Sequence, residues 1–284
     1  MPNIKHILFP FDFSKQASLA VPFVRAIASR CGAKISVLSV SPPFWGAPLE
    51  GMPALPGLET PEHELRAYLS ETLAPEFTGL AASYLTDLGD PAVKIVRFAH
   101  YNDVDLIMMP THGVSGYRSE LIGSVTVKVL HQAGCPIWTA THAEEQSSRS
   151  APSTIVCAID DTDQSITVMR WALEFSQQMD AKLRFLHVVP PVSDALAAPS
   201  DSDLQEEMLK GARAKLESMQ QSASVEAPLR LAVGRIAETV TAVAQQEKAD
   251  LLLIGRGLLP SPLGRLRSNA YAMIQQSPCP VVSV

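Results

Sequence analysis

The chain has 284 residues, 46% hydrophobic and 18% charged, enough for two ordinary globular domains that each bury a core. Its formal net charge of −6 argues against nucleic acid or an anionic membrane as the main partner. No apolar run approaches the ~20 residues that span a bilayer, and the opening Met1-Pro2-Asn3-Ile4-Lys5 lacks a signal-peptide core, so a cytoplasmic setting is expected.

In chain order, residues 7–11 read as a short buried strand and 15–31 as an amphipathic helix that either Asp12 or Ser14 can cap. A strand over 34–40 follows, then a proline-bearing insertion over 42–57 that carries Phe44, Trp45 and Met52. The insertion reads either as a lid or docking surface, or as a stiff surface loop with an apolar residue tucked inside. A helix is expected over 61–77, then a short strand, a helix over 92–101 and a buried strand over 104–109. Asp103 and Asp105 introduce that last strand and are expected to be structural. Next come Pro110-Thr111-His112-Gly113, nine residues, and Gly123-Ser124 at the start of a helix over 125–132. An apolar strand over 136–140 closes this half, and residues 141–153, rich in Glu, Gln and Ser, read as a linker.

The strand-to-helix loop is suited to an anion. Free backbone N–H groups and the positive end of the helix dipole lie at Gly123-Ser124, Gly113 and Gly123 permit close approach, and Ser124 adds a hydroxyl. A tight turn capped by a serine is the plainer reading of the same spacing.

Residues 155–191 align on 7–43 without a gap at an offset of 148, placing Asp160 on Asp12 and Val188 on Val40. Farther on, Gly234 matches Gly89, Asp250 matches Asp105 and Cys279 matches Cys135. The second half therefore repeats the first, with strands over 155–159, 182–189 and 280–284 and helices over 164–179, 201–221 and 236–247. Strands alternating with helices mean a parallel sheet covered on both faces, which binds ligands at the carboxyl ends of its strands, where strand order switches. Asp12, Val40 and the His112 loop all fall there. The four cysteines form no CxxC pair, and Cys135 and Cys279 read as small core residues.

The opening ILFPFDFS and the stretch DLIMMPTHG…LIGSVTVKVLHQAGCPIW resemble the universal stress protein family, in its tandem two-domain form. The resemblance implies an α/β fold of two Rossmann-like (adenine nucleotide alpha-hydrolase-like) domains, over 1–142 and 152–284, each a five-stranded parallel sheet between helices. It also implies an ATP site in the first half, with ADP and AMP as alternatives and Mg2+ accompanying a triphosphate. By the same resemblance, Asp12 meets the ribose or adenine edge, the backbone of Val40 pairs with adenine, and Met109 packs beside the base. Gly113, Gly123, Ser124 and Val125 offer donors to the phosphates, His112 sits beside them, and Pro10, Phe11 and Thr111 complete the set. Pro110 departs from the pattern: it stands where the family has glycine and has no N–H to donate. The second half departs further, because Gly123-Ser124 becomes Arg267-Ser268, and it is expected to have lost the nucleotide site, while Asp160 and Val188 remain and leave room for an adenosine-sized pocket. Arg256, Arg265 and Arg267 either hold a phosphate by their side chains or, as expected, are paired or solvated.

The implied function is regulatory: nucleotide occupancy alters a loop or lid, and with it association with an unidentified protein partner during stress. No base or nucleophile accompanies His112 and there is no Walker lysine, so hydrolysis is expected to be slow at most. A slow ATPase and a nucleotide-free interaction module are the alternatives. No catalytic residue or metal ligand is assigned. The last strand of each half reads as a sheet edge; in the family such strands pair across a homodimer, and a tandem chain can satisfy them internally as a pseudo-dimer, with or without a further homodimer.

Overall fold

Unbroken apolar runs of strand length need cover on both faces, and β1 (His6–Pro10) is buried at every position. The computed structural model describes residues 4–41, 62–112, 122–140, 151–192, 201–256 and 268–284, which fall into two units, 3–151 and 152–284. In the first unit β1 is followed by α1 (Lys15–Cys31), β2 (Lys34–Ser41), α2 (Glu62–Leu73), β3 (Ala82–Leu88), α3 (Pro91–Tyr101), β4 (Leu106–Pro110), α4 (Ser124–Gln132) and β5 (Ile137–Ala140). The second unit runs β6 (Thr154–Ala158), α5 (Gln164–Met179), β7 (Lys182–Val189), α6 (Asp201–Ala223), β8 (Leu229–Val233), α7 (Ile236–Gln246), β9 (Leu251–Ile254), α8 (Ser268–Gln276) and β10 (Val281–Ser283). The insertion over 42–57, Gly113, residues 141–150 of the linker, Arg265 and Arg267 lie outside the described residues.

Strand order is β3-β2-β1-β4-β5 in the first unit and β8-β7-β6-β9-β10 in the second, with the described pairs parallel. Burial follows this order: β1, β4 and β5 are fully buried, whereas β3 is half-exposed. Asp105 is structural, as its place ahead of β4 suggests. Its Oδ2 accepts from the amides of Lys5 and His6 at 2.8 and 2.9 Å, joining the starts of β4 and β1. Asp250 does the same in the second unit, accepting from Ser153 and Thr154 at 2.9 and 3.0 Å. The matched glycines are also explained: Gly234 has φ 152°, and a Cβ there would lie 2.3 Å from Thr239 Oγ1.

Helix ends follow their capping residues. Ser14 Oγ accepts from Ala17 N at 3.1 Å and Gly32 closes α1 at φ 64°, which reproduces the expected 15–31. The helix expected over 61–77 ends instead at Leu73, two residues before Pro75, which disfavours helical backbone just ahead of it. Phe77 then turns inward, 2% exposed, against Phe9. Burial raises the Cys157 thiol and lifts that of Cys279 to about 12, consistent with packing roles, while Cys135 is only half-buried. No helix among the described residues is long and apolar enough to cross a membrane.

Gly211 lies inside α6, and a Cβ added there meets nothing within 4 Å. Gly211→Ala should therefore stabilise the second unit by about 0.5–1 kcal/mol, read as a raised denaturation midpoint.

Candidate functional site

The chain leaves β1 for β2 and β3 on one side and returns through β4 to β5 on the other, so the carboxyl ends of β1 and β4 diverge over a crevice. Pro10, Phe11 and Asp12 enter it from β1, and Met109, Pro110 and His112 from β4. Ser39 and Val40 of β2, Leu65 of α2, Pro91 and Ile95 of α3, and Gly123, Ser124 and Val125 at the start of α4 complete the wall. The enclosed volume is about 390 Å³, within the range of small-molecule sites. Of the residues the sequence nominates, Thr111 does not border this cavity, and Gly113 lies outside the described residues.

At one end, the hydrogen-bond alternation along β2 decides what Val40 presents. Lys34 and Leu38 bond towards β1, through Lys5 O and Phe11 N, whereas Ile35 and Ser41 bond towards β3, through Ala81 O and Gly89 N. Val40 has the parity of Lys34 and Leu38, so its N–H and C=O turn to the β1 side, past the last register pair, Pro10–Leu38. A donor and an acceptor on one strand edge thus face the cavity. Asp12 stands close by; Ser14 supplies the cap of α1, and Asp12 Oδ1 accepts from Ser14 N at 3.0 Å.

At the other end, α4 has Gly123 as N-cap with no side-chain cap, and its first internal bond is Val127 N to Gly123 O at 2.9 Å. The amides of Ser124, Val125 and Thr126 therefore have no acceptor within the helix. His112 is next to them. Thr111 Oγ1 donates its single proton to Ala140 O at 3.1 Å, so His112 Nδ1 must be the donor in its 3.0 Å contact with Thr111 Oγ1. Nε2 is then left buried without a partner among the described residues. Thr111 acts from behind the site, fixing the ring that borders it.

Phe13 was not nominated by the sequence. It borders the cavity at φ 60°, uncommon for a bulky side chain, and stacks on Tyr68 at 5.2 Å and 25°. The one sequence signal for this turn is Asp12 two residues before Ser14, whose amide it takes.

The Universal stress protein family profile matches residues 3–140 and again 152–284. The chain belongs to the universal stress protein family. A universal stress protein of Methanocaldococcus jannaschii is 34% identical over 136 residues, covering 47% of this chain and 79% of that protein. The crystal structure of a universal stress protein from Archaeoglobus fulgidus is 21% identical and superposes with a TM-score of 0.69, covering 98% of this chain and 95% of that one. A universal stress protein solved in complex with cAMP is 23% identical, with a TM-score of 0.35, covering 47% of this chain and 97% of that one.

The second universal stress protein domain has a cavity of its own, about 490 Å³, at the carboxyl ends of β6, β7 and β9. Arg256 is 5% exposed and does not border it, so this arginine is neither solvated nor on the cavity wall.

In the first domain, Asp90 places α3 against the cavity. Its Oδ1 accepts from Ala92 N at 2.9 Å and Val93 N at 3.2 Å, and its Oδ2 accepts from Lys128 Nζ at 3.0 Å. The Lys128 bond first, then the Val93 amide, holds the carboxyl below its ordinary value of 3.8. The stability it supplies is thus present above the usual carboxylate range and lost as pH falls through its lowered value. Asp90→Ala should cost about 1 kcal/mol at neutral pH, with the gap to wild type closing in acid denaturation curves.

Proposed function

We propose that the first universal stress protein domain binds an adenine nucleotide, ATP foremost, and that occupancy regulates association with a protein partner. The observation that carries this reading is the uncapped start of α4 on the cavity wall, whose first three amides have no acceptor within the helix, with His112 and Asp12 on the same wall. Free amides at a helix start, at the positive end of its dipole, are a ready site for an anion. A phosphate fits, since its oxygens accept from the α4 amides and from the Ser124 hydroxyl. The opposite end suits adenine, whose exocyclic amine and ring nitrogen match a strand edge that accepts and donates, and Asp12 suits a ribose hydroxyl. A bound triphosphate would bring Mg2+ with it and would need no metal ligand from the wall.

Calorimetric titration of ATP, ADP and AMP into nucleotide-stripped protein, with and without Mg2+, tests the proposal. ATP should bind at one site per chain. Ser124→Ala should weaken it by about tenfold, the loss of one hydrogen bond to a charged group. No binding of any of the three would overturn the reading and favour a nucleotide-free interaction module.

A further inference from the structure

The second cavity keeps one end of the first and changes the other. Along β7, Lys182 and Leu186 bond towards β6, through Ser153 O and Ile159 N, while Phe185 and Val189 bond towards β8, through Pro228 O and Gly234 N. Val188 therefore turns its N–H and C=O to the β6 side, past the last register pair, Ala158–Leu186, as Val40 does in the first domain. Beside it, His187 occupies the repeat position of Ser39, and both residues border their cavities. His187 Nδ1 lies 2.9 Å from Ile159 O. A carbonyl only accepts, so Nδ1 carries the proton and Nε2 of the neutral ring is an acceptor.

The charges on the described wall do not suit a phosphate. They are Asp160, Asp161 and Lys215, and Lys215 Nζ is paired with Asp161 Oδ2 at 3.1 Å. Asp160 Oδ1 holds its own loop, accepting from Thr162 N, Thr162 Oγ1 and Ser165 Oγ at 3.1, 2.6 and 2.7 Å. The sequence position of Gly123 is taken by Arg267, so the glycine that admits an anion to the helix start is absent. Much of the remaining wall is apolar, including Val168, Leu186, Val240 and Ile254.

We infer that this cavity is a second binding site, for an uncharged, nucleoside-sized heterocycle that pairs with the Val188 edge and gives an N–H to His187 Nε2. It shares the strand-edge logic of the proposed ATP site but not the glycine at its helix start.

Carbon-13 methionine-methyl NMR on the full chain separates the two cavities, because Met208 and Met273 border the second and Met109 borders the first. Adenosine is the probe, with ATP titrated in a parallel sample. Adenosine should shift Met208 and Met273 saturably, and ATP at the same concentration should leave both in place. His187→Phe should weaken the adenosine response about tenfold. Gly211→Leu, entering open space on the cavity wall, should abolish it without disturbing the helix. The inference is overturned if millimolar adenosine leaves Met208 and Met273 unmoved, if ATP moves them equally, or if both variants respond like wild type. Should Met109 ignore ATP while Met208 and Met273 follow adenosine, the ATP proposal falls and this site stands.

Discussion

Gly123→Asp should weaken ATP binding by at least about a hundredfold, some 2.7 kcal/mol, while the first domain melts at the same temperature or slightly higher. The two readouts move apart because one backbone position serves two ends. Gly123 has φ −59° and ψ 145°, open to any residue, so no strain accompanies a side chain there. As N-cap, an aspartate accepts from the exposed amides of α4 and improves on glycine by a few tenths of a kcal/mol. The same carboxylate occupies the donors that a phosphate would use and repels its charge. Calorimetry and a thermal melt on one sample decide it. Unchanged ATP affinity would remove the α4 start from the binding site, and a large fall in melting temperature would show the variant to be merely misfolded.

Phe9→Ala should destabilise the first domain by about 3–5 kcal/mol, the range for emptying a buried aromatic site. Phe9 is fully buried on β1 and contacts Phe11 and Phe77 at ring-centroid distances of 5.6 and 6.3 Å. Those neighbours belong to the turn above the sheet and to the segment after α2, too far apart in sequence to close the gap together. With a urea m-value of roughly 2 kcal/mol/M, the midpoint of the first domain falls by about 2 M. Trp138, 1% exposed on β5, reports that domain by fluorescence, and Trp171 on α5 reports the other. A shift below 0.5 M, roughly 1 kcal/mol on the same scale, would mean that the site collapses around the smaller side chain.

Much of the architecture is legible in the sequence because the chain states it twice. The 148-residue offset aligns Asp12 with Asp160 and Val40 with Val188, and the strand edges at both valines face their cavities in the same sense. Helices with strong caps are read to the residue, as Ser14 and Gly32 show for α1. Features set by packing are less visible. Thr111 belongs to the loop motif, yet its amide and hydroxyl both turn to Ala140 O, because the ladder to β5 runs one residue beyond β4. The left-handed backbone at Phe13 has no mark in its residue type, which normally avoids that conformation. In the second half, the missing glycine points to loss of the phosphate end, while Asp160 and Val188 leave room for an adenosine-sized pocket. Both residues line the cavity there, together with positions the repeat does not mark, among them Met208, Gly211 and Lys215, spaced three and four apart along one face of α6.

Helix α2 has only Leu69 and Leu73 buried among twelve residues, whereas α1 buries seven of seventeen. With two buried leucines and the Tyr68–Phe13 stack as its main anchors, α2 should open at lower free energy than the domain unfolds. Leu65 of the same helix is part of the first cavity wall. A ligand touching Leu65 binds fully only while α2 is seated, so its apparent affinity is the intrinsic one scaled by the seated fraction. The coupling is reciprocal: a filled cavity holds α2 down, and a partner that pulls α2 away ejects the ligand. The anchors of α2, Leu69, Leu73 and the Tyr68–Phe13 stack, thus set how far occupancy of the cavity can be heard on the outer surface of the helix.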